Sequence, residues 1–253
     1  MILNRINFFD FQVSNVNWNE TYSFIKKAIT NNEKHYIAVL NANKIYLARQ
    51  NQWLNEYFDN SSIILPENAI NIIQYLCNRP LKAWNMGGVE FMQKALNSAS
   101  LNNWSIYFLG STENELSALK EKIANNYPGI KYKKYCNGYY KNDTIKFILE
   151  DISKFKPNIL FLGLGSPKQE KFIMDHFNLI DANITIGVGG SFKVIAGLDK
   201  LAPSWMKFGL EWIYRSFQDP KKFKRYIIIN TFFLGTILRM SIKNLWNTNA
   251  KIY

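Results

Sequence analysis

Five short apolar runs and one strand-like run interleaved with lysine, each closed by glycine or a polar cluster, constrain this chain more than any other feature. They are Tyr36–Leu40, Ile63–Leu65, Ser105–Leu109, Ile130–Tyr135, Ile159–Leu162 and Ile184–Val188. Helical patterns lie between them. One begins at Lys44, and one runs from Pro66-Glu67 through Leu76. A third is announced by the capping pair Thr112 and Glu115, and a fourth covers Thr144–Phe155. Strands separated by helices of about 10 to 15 residues build βαβ units. The expected fold is α/β, a mostly parallel sheet flanked by helices.

In an open parallel sheet, ligands bind beyond the carboxyl ends of the strands. The residues to weigh are therefore Asn41-Ala-Asn43, Pro66-Glu67-Asn68, Gly110-Ser111, Gly163 to Gln169 and Gly187 to Ser191, all expected at one sheet edge. The fourth cluster carries the most chemistry. Gly163 and Gly165 permit a sharp turn, and Ser166, Pro167 and Gln169 stand as N-cap, first and third helical positions. Free N–H groups at such a turn carry partial positive charge and can hold a phosphate. Gln169 is expected at the rim of that site, able to donate or accept. Local roles compete: Gln169, Asn41 and Asn43 as helix caps, Glu67 as a favourable charge at a helix start. Lys168 stands where the dinucleotide fingerprint needs its third glycine or alanine, which disfavours an NAD site.

The net charge of +12 is concentrated at the C-terminal end. From Lys200 onward ten Lys or Arg face only Glu211 and Asp219, interleaved with Trp205, Phe208, Trp212, Tyr214, Phe217 and further aromatics. Basic residues mixed with large rings suit an anionic membrane surface. The apolar stretch Tyr226–Leu238 holds 13 residues, too few to span a bilayer. Ordinary packing competes with the membrane reading, and no nucleic-acid motif accompanies the charge. The expected division is a core over 1–200 and a basic, helical, membrane-associating appendage over 201–253. Cys77 and Cys136, the only cysteines, are too few for a disulfide scaffold or a zinc site. No signal peptide is visible at the N-terminus, so a cytoplasmic location is expected. The sequence is compatible with a homo-oligomer and sets no oligomeric state.

The order of motifs resembles the WecG/TagA/CpsF family of bacterial glycosyltransferases. The resemblance rests on Asn41-Ala-Asn43, Leu65-Pro-Glu-Asn68, Gly88-Val-Glu-Phe-Met92, Gly163-Leu-Gly-Ser-Pro-Lys-Gln-Glu170, Gly187-Val-Gly-Gly-Ser-Phe192, Gly197, Lys200-Leu-Ala-Pro203 and Gly209-Leu-Glu-Trp-Ile-Tyr-Arg215, with Pro220 and Arg225-Tyr226. It implies a Rossmann-like transferase without cofactor or metal. The implied reaction moves a sugar, typically of the N-acetylmannosamine type, from a UDP-sugar to a polyprenyl-diphosphate-linked saccharide, inverting the anomeric centre. The implied place is the inner face of the cell membrane, in synthesis of a surface polysaccharide or wall polymer.

Carried onto this chain, the resemblance makes Glu67 the base and gives Asn43 and Gln169 sugar hydroxyls to hold. Asn41, Asn68, Asn85 and Glu90 fall on the sugar and acceptor side. Gly110, Gly163, Gly165, Ser166, Lys168, Gly189 and Gly190 fall on the nucleotide side. Arg215, Lys221, Lys222 and Arg225 are candidates to offset charge on the departing diphosphate. The chain departs from the family pattern where Glu67 and Glu90 replace Asp, Asn41 replaces Thr, Asn68-Ala69 replaces a glycine and Asn85 replaces Arg. Those departures leave a second function class open, a catalytically inactive nucleotide-sugar-binding assembly factor.

Overall fold

The apolar runs become strands of one six-stranded sheet in the computed structural model. It describes residues 4–76, 81, 82, 84, 86–140, 144–200, 203, 214, 223, 224, 227–229 and 231–235. The chain opens with β1 (Arg5–Phe8), β2 (Phe11–Ser14) and α1 (Trp18–Thr30). Then come β3 (His35–Leu40), α2 (Ala42–Ala48), α3 (Gln52–Asp59), β4 (Ile63–Pro66), α4 (Asn68–Leu76) and α5 (Gly88–Asn102). β5 (Ile106–Gly110), α6 (Glu113–Asn126), β6 (Lys133–Cys136) and α7 (Ile145–Phe155) follow. The series closes with β7 (Ile159–Gly163), α8 (Lys168–His176), β8 (Ile184–Gly187) and α9 (Ser191–Ile195). The sheet order is β4-β3-β8-β7-β5-β6, every pairing parallel.

Helices cover both faces, which is why the strands read as continuous apolar runs and not as alternating ones. Successive side chains of a strand point to opposite faces, so each strand feeds two cores. In β3, Ile37 and Val39 enter a layer shared with α1, α5, α6 and α9. Tyr36, Ala38 and Leu40 enter the other, shared with α2, α3, α7 and α8. β3 and β8 are neighbours, yet α2 leaves toward the second layer and α9 toward the first. Adjacent strands whose chains depart in opposite directions mark the place where open sheets take ligands.

Two local readings need correction. The strand expected over Ile130–Tyr135 begins only at Lys133, because Ile130 still belongs to the preceding turn, its N–H bonding Tyr127 O at 3.1 Å. Ser166 does not cap α8: the helix starts at Lys168, and the Ser166 hydroxyl donates to Glu170 Oε1 at 3.0 Å instead. The antiparallel β1–β2 hairpin lay outside the sequence expectation. It docks beside β4, where Ser14 Oγ accepts the Ile64 N–H at 3.0 Å.

In the C-terminal segment, residues 227–229 and 231–235 are helical. Ile229 and Phe233, four apart and so on one helix face, are buried. Phe233 meets Phe9 edge-on at 6.4 Å between centroids, and Phe232 meets Tyr46 at 5.3 Å with Arg49 over its ring. Among the described residues no helix is long and apolar enough to cross a membrane.

Candidate active site

All five clusters expected at one edge stand at the carboxyl ends of β3, β4, β5, β7 and β8. On the β3–β4 side, Asn41 is the N-cap of α2, its Oδ1 accepting the Lys44 N–H at 3.0 Å. That bond leaves its Nδ2 to donate to Glu67 Oε1 at 3.1 Å. Glu67 is half-buried, and its own N–H is held by Leu40 O at 2.9 Å. Asn41 thus acts both as a cap and as the partner of the carboxylate. Asn43, in the first turn of α2, is half-buried, and Asn68 begins α4 half-buried as well.

Gly87 brings a second carboxylate close. A Cβ at Gly87 would sit 3.0 Å from Glu90 Oε2 and 3.5 Å from Glu67 Cγ. The next residue, Gly88, lies against the β8–α9 turn, where a Cβ would meet Ser191 Oγ at 3.1 Å and Val188 O at 3.3 Å. Glu67, Glu90 and the Gly189–Gly190 turn therefore belong to one neighbourhood.

On the β7–β8 side, Gln169 is not at a rim. It is 2% exposed, and both ends of its amide are engaged inside the protein. Nε2 donates to Glu170 Oε1 at 2.9 Å and Oε1 accepts the Gly189 N–H at 3.0 Å. The missing β-carbon of Gly187 makes this arrangement fit, since a Cβ there would stand 2.6 Å from Gln169 Nε2. Gly110 and Gly163 are paired across β5 and β7, while Gly165 and Gly189 have positive φ of 76° and 54°. Lys168 and Gly190 are exposed. Asn85, Arg215, Lys221, Lys222 and Arg225 lie outside the described residues.

The sequence reading missed two charged groups at this edge. Lys44 Nζ lies 2.9 Å from Glu170 Oε1, and their side chains are 4% and 0% exposed. Burial pushes the Glu170 carboxyl up, but Lys44 and the Gln169 amide more than offset it and hold it below the ordinary glutamate value. One sequence signal pointed to this pair. A lysine in the first turn of a helix opposes the helix dipole and calls for a nearby anion. Two cavities stand out among the described residues, the second reaching the carboxyl end of β6 through Cys136 and Asn137. One of about 650 Å³ is lined by Phe9, Ile45, Arg49 and Asn55, and one of about 560 Å³ by Tyr107, Tyr140, Phe147 and Asp151.

The sequence model of the Glycosyl transferase WecG/TagA/CpsF family matches residues 6–246. The chain belongs to the WecG/TagA/CpsF family of glycosyltransferases. Its relatives include the N-acetylglucosaminyldiphosphoundecaprenol N-acetyl-beta-D-mannosaminyltransferase of Bacillus subtilis (strain 168), 33% identical over 217 residues, covering 82% of this chain and 83% of that protein. The protein of the same description from Staphylococcus aureus (strain MW2) is 31% identical over 205 residues, covering 80% and 79%. As a WecG/TagA/CpsF glycosyltransferase, the protein carries its glycine turns at the carboxyl edge of its parallel sheet. A Rossmann-like sheet is thus both the sequence expectation and the architecture found.

Proposed function

We propose that this glycosyltransferase moves an N-acetylmannosamine-like sugar, or a related hexosamine or uronic acid, from a UDP-sugar to a polyprenyl-diphosphate-linked saccharide. The observation that carries this reading is the Asn41–Glu67 hydrogen bond at the carboxyl edge of the sheet, beside the Gly189–Gly190 turn. The Asn41 amide holds the Glu67 carboxylate at the sheet edge, and that carboxylate is the group to take a proton. In the reaction, the acceptor hydroxyl oxygen bonds the anomeric carbon from the face opposite the diphosphate. The bond from that carbon to the phosphate oxygen breaks, the electron pair leaves with UDP, and Glu67 receives the hydroxyl proton. Attack from the opposite face inverts the centre. Charge growing on UDP meets backbone N–H groups of the Gly163–Ser166 turn and the cations Lys168, Arg215 and Arg225. Asn43 holds a sugar hydroxyl. A panel of UDP-sugars, each supplied with a prenyl-diphosphate-linked N-acetylglucosamine, tests the reading. UDP release with one donor and only with acceptor present is expected; no release with any donor contradicts it.

The appendage over 201–253 docks on the inner membrane face in this reading. Ile227, Ile228 and Leu234 are 42%, 45% and 59% exposed, while Ile229 and Phe233 face the core. Burying a large apolar side chain is worth about 1.5–3 kcal/mol, so replacing all three with Glu should weaken binding to anionic vesicles at least about tenfold. The melting temperature should hold, because none of the three is in the core. Unchanged cosedimentation would remove the docking role.

A further inference from the structure

The buried Lys44–Glu170 pair crosses the proposed site, and no step of the transfer uses it. Taking two charges out of water is expensive, and an apolar pair of equal volume often supports a fold as well. What the pair supplies is direction. An ionised carboxylate can only accept, so the Gln169 NH₂ must face Glu170 and its carbonyl must face Gly189. Ser166 Oγ adds a third donor to the same Oε1, at 3.0 Å. On the other side, the Lys44 backbone N–H, which α2 presents wherever the ion pair holds that helix, occupies Asn41 Oδ1, so the Asn41 NH₂ must face Glu67. Glu67, Asn41, Lys44, Glu170, Gln169 and Gly189 thereby form one chain of contacts across the ends of β4, β3, β7 and β8.

We infer that Lys44 and Glu170 are positioning residues: their ion pair locks α2 to α8 and so fixes the Glu67 carboxylate relative to the Gly189 turn. This rests on the proposed role of Glu67 as base. Among the described residues, Glu170 Oε2 and the Tyr57 hydroxyl, both buried, have no hydrogen-bond partner.

The test compares Lys44→Met, Glu170→Met and the double variant in the full chain. Each single variant strands one buried charge and should melt well below wild type, and the double should recover much of that loss. Turnover should stay down in all three, on the order of 10²-fold at saturating donor, with donor KM little changed, as expected for misplacement of the base. A double variant that regains turnover together with its melting temperature would overturn the inference. Amide hydrogen exchange at Gly189, read without substrate, separates this from failure of the proposed reaction. It should be about tenfold faster in the double variant, the equivalent of one lost hydrogen bond. Unchanged exchange there would overturn the inference even for an enzyme whose donor had not been found. Absence of UDP release by wild type, with the exchange result as expected, would count against the reaction alone.

Discussion

Gly110→Ala should destabilise the protein by about 3 kcal/mol or more, lowering its melting temperature by roughly 6–12 °C for a chain of this size. Gly110 has φ of +135°, where side chains other than hydrogen are strained. Space adds a second penalty. A Cβ would stand 2.5 Å from the Gly163 carbonyl carbon and 2.7 Å from its Cα and N. These are backbone atoms of a paired strand and cannot rotate away. Gly138 closes the third side, since its own Cβ position is 2.8 Å from Gly110 Cα. Gly190→Ala is the control. Gly190 has φ of −69°, and nothing lies within 4 Å of its Cβ position. That substitution should move stability by no more than about 0.5 kcal/mol. Parallel thermal melts decide the matter. Equal losses for the two variants would show that close strand approach at the glycine edge is not what requires Gly110.

Why some of this could be read from sequence, and some could not, follows from the range of the interactions. β3, β4, β5, β7 and β8 were legible because strands buried on both faces spell unbroken apolar runs, such as Ile159–Leu162. The Thr112–Glu115 box was legible because both of its bonds close within one turn of α6. β1 and β2 were not, since Arg5, Asn7 and Gln12 break up their apolar residues. The candidate residues beyond each strand were legible as positions, and topology alone was enough to gather them at one edge. Their pairings were not. Gln169 turns inward because α8 starts after Pro167 and because Gly187, distant in sequence, leaves room for its amide. Lys44 finds Glu170 only once β3 and β7 stand on either side of β8.

The second large effect concerns the carboxylate. Glu67→Gln keeps the shape of the side chain and an oxygen to accept from Asn41 Nδ2, so the fold and the neighbouring cap of α2 should survive. It removes the ability to take a proton. A positioned general base contributes typically 10²–10⁴-fold, and the loss should fall in that range. Because the base acts only as the acceptor hydroxyl attacks, donor binding should change little. Glu67→Asp is the informative companion. It shortens the reach by on the order of 1 Å while keeping the charge, a displacement that can itself cost about 10²-fold. Asn41 would lose its contact at the same time, since its amide is placed for the longer side chain.

The most direct test is the single-turnover rate of sugar transfer, with donor and acceptor saturating, for wild type and Glu67→Gln. A fall on the order of 10²–10⁴-fold, with donor affinity held, is the predicted result. Transfer by the variant at the wild-type rate would contradict the assignment of proton removal to Glu67, and with it the placing of the reaction at this edge of the sheet.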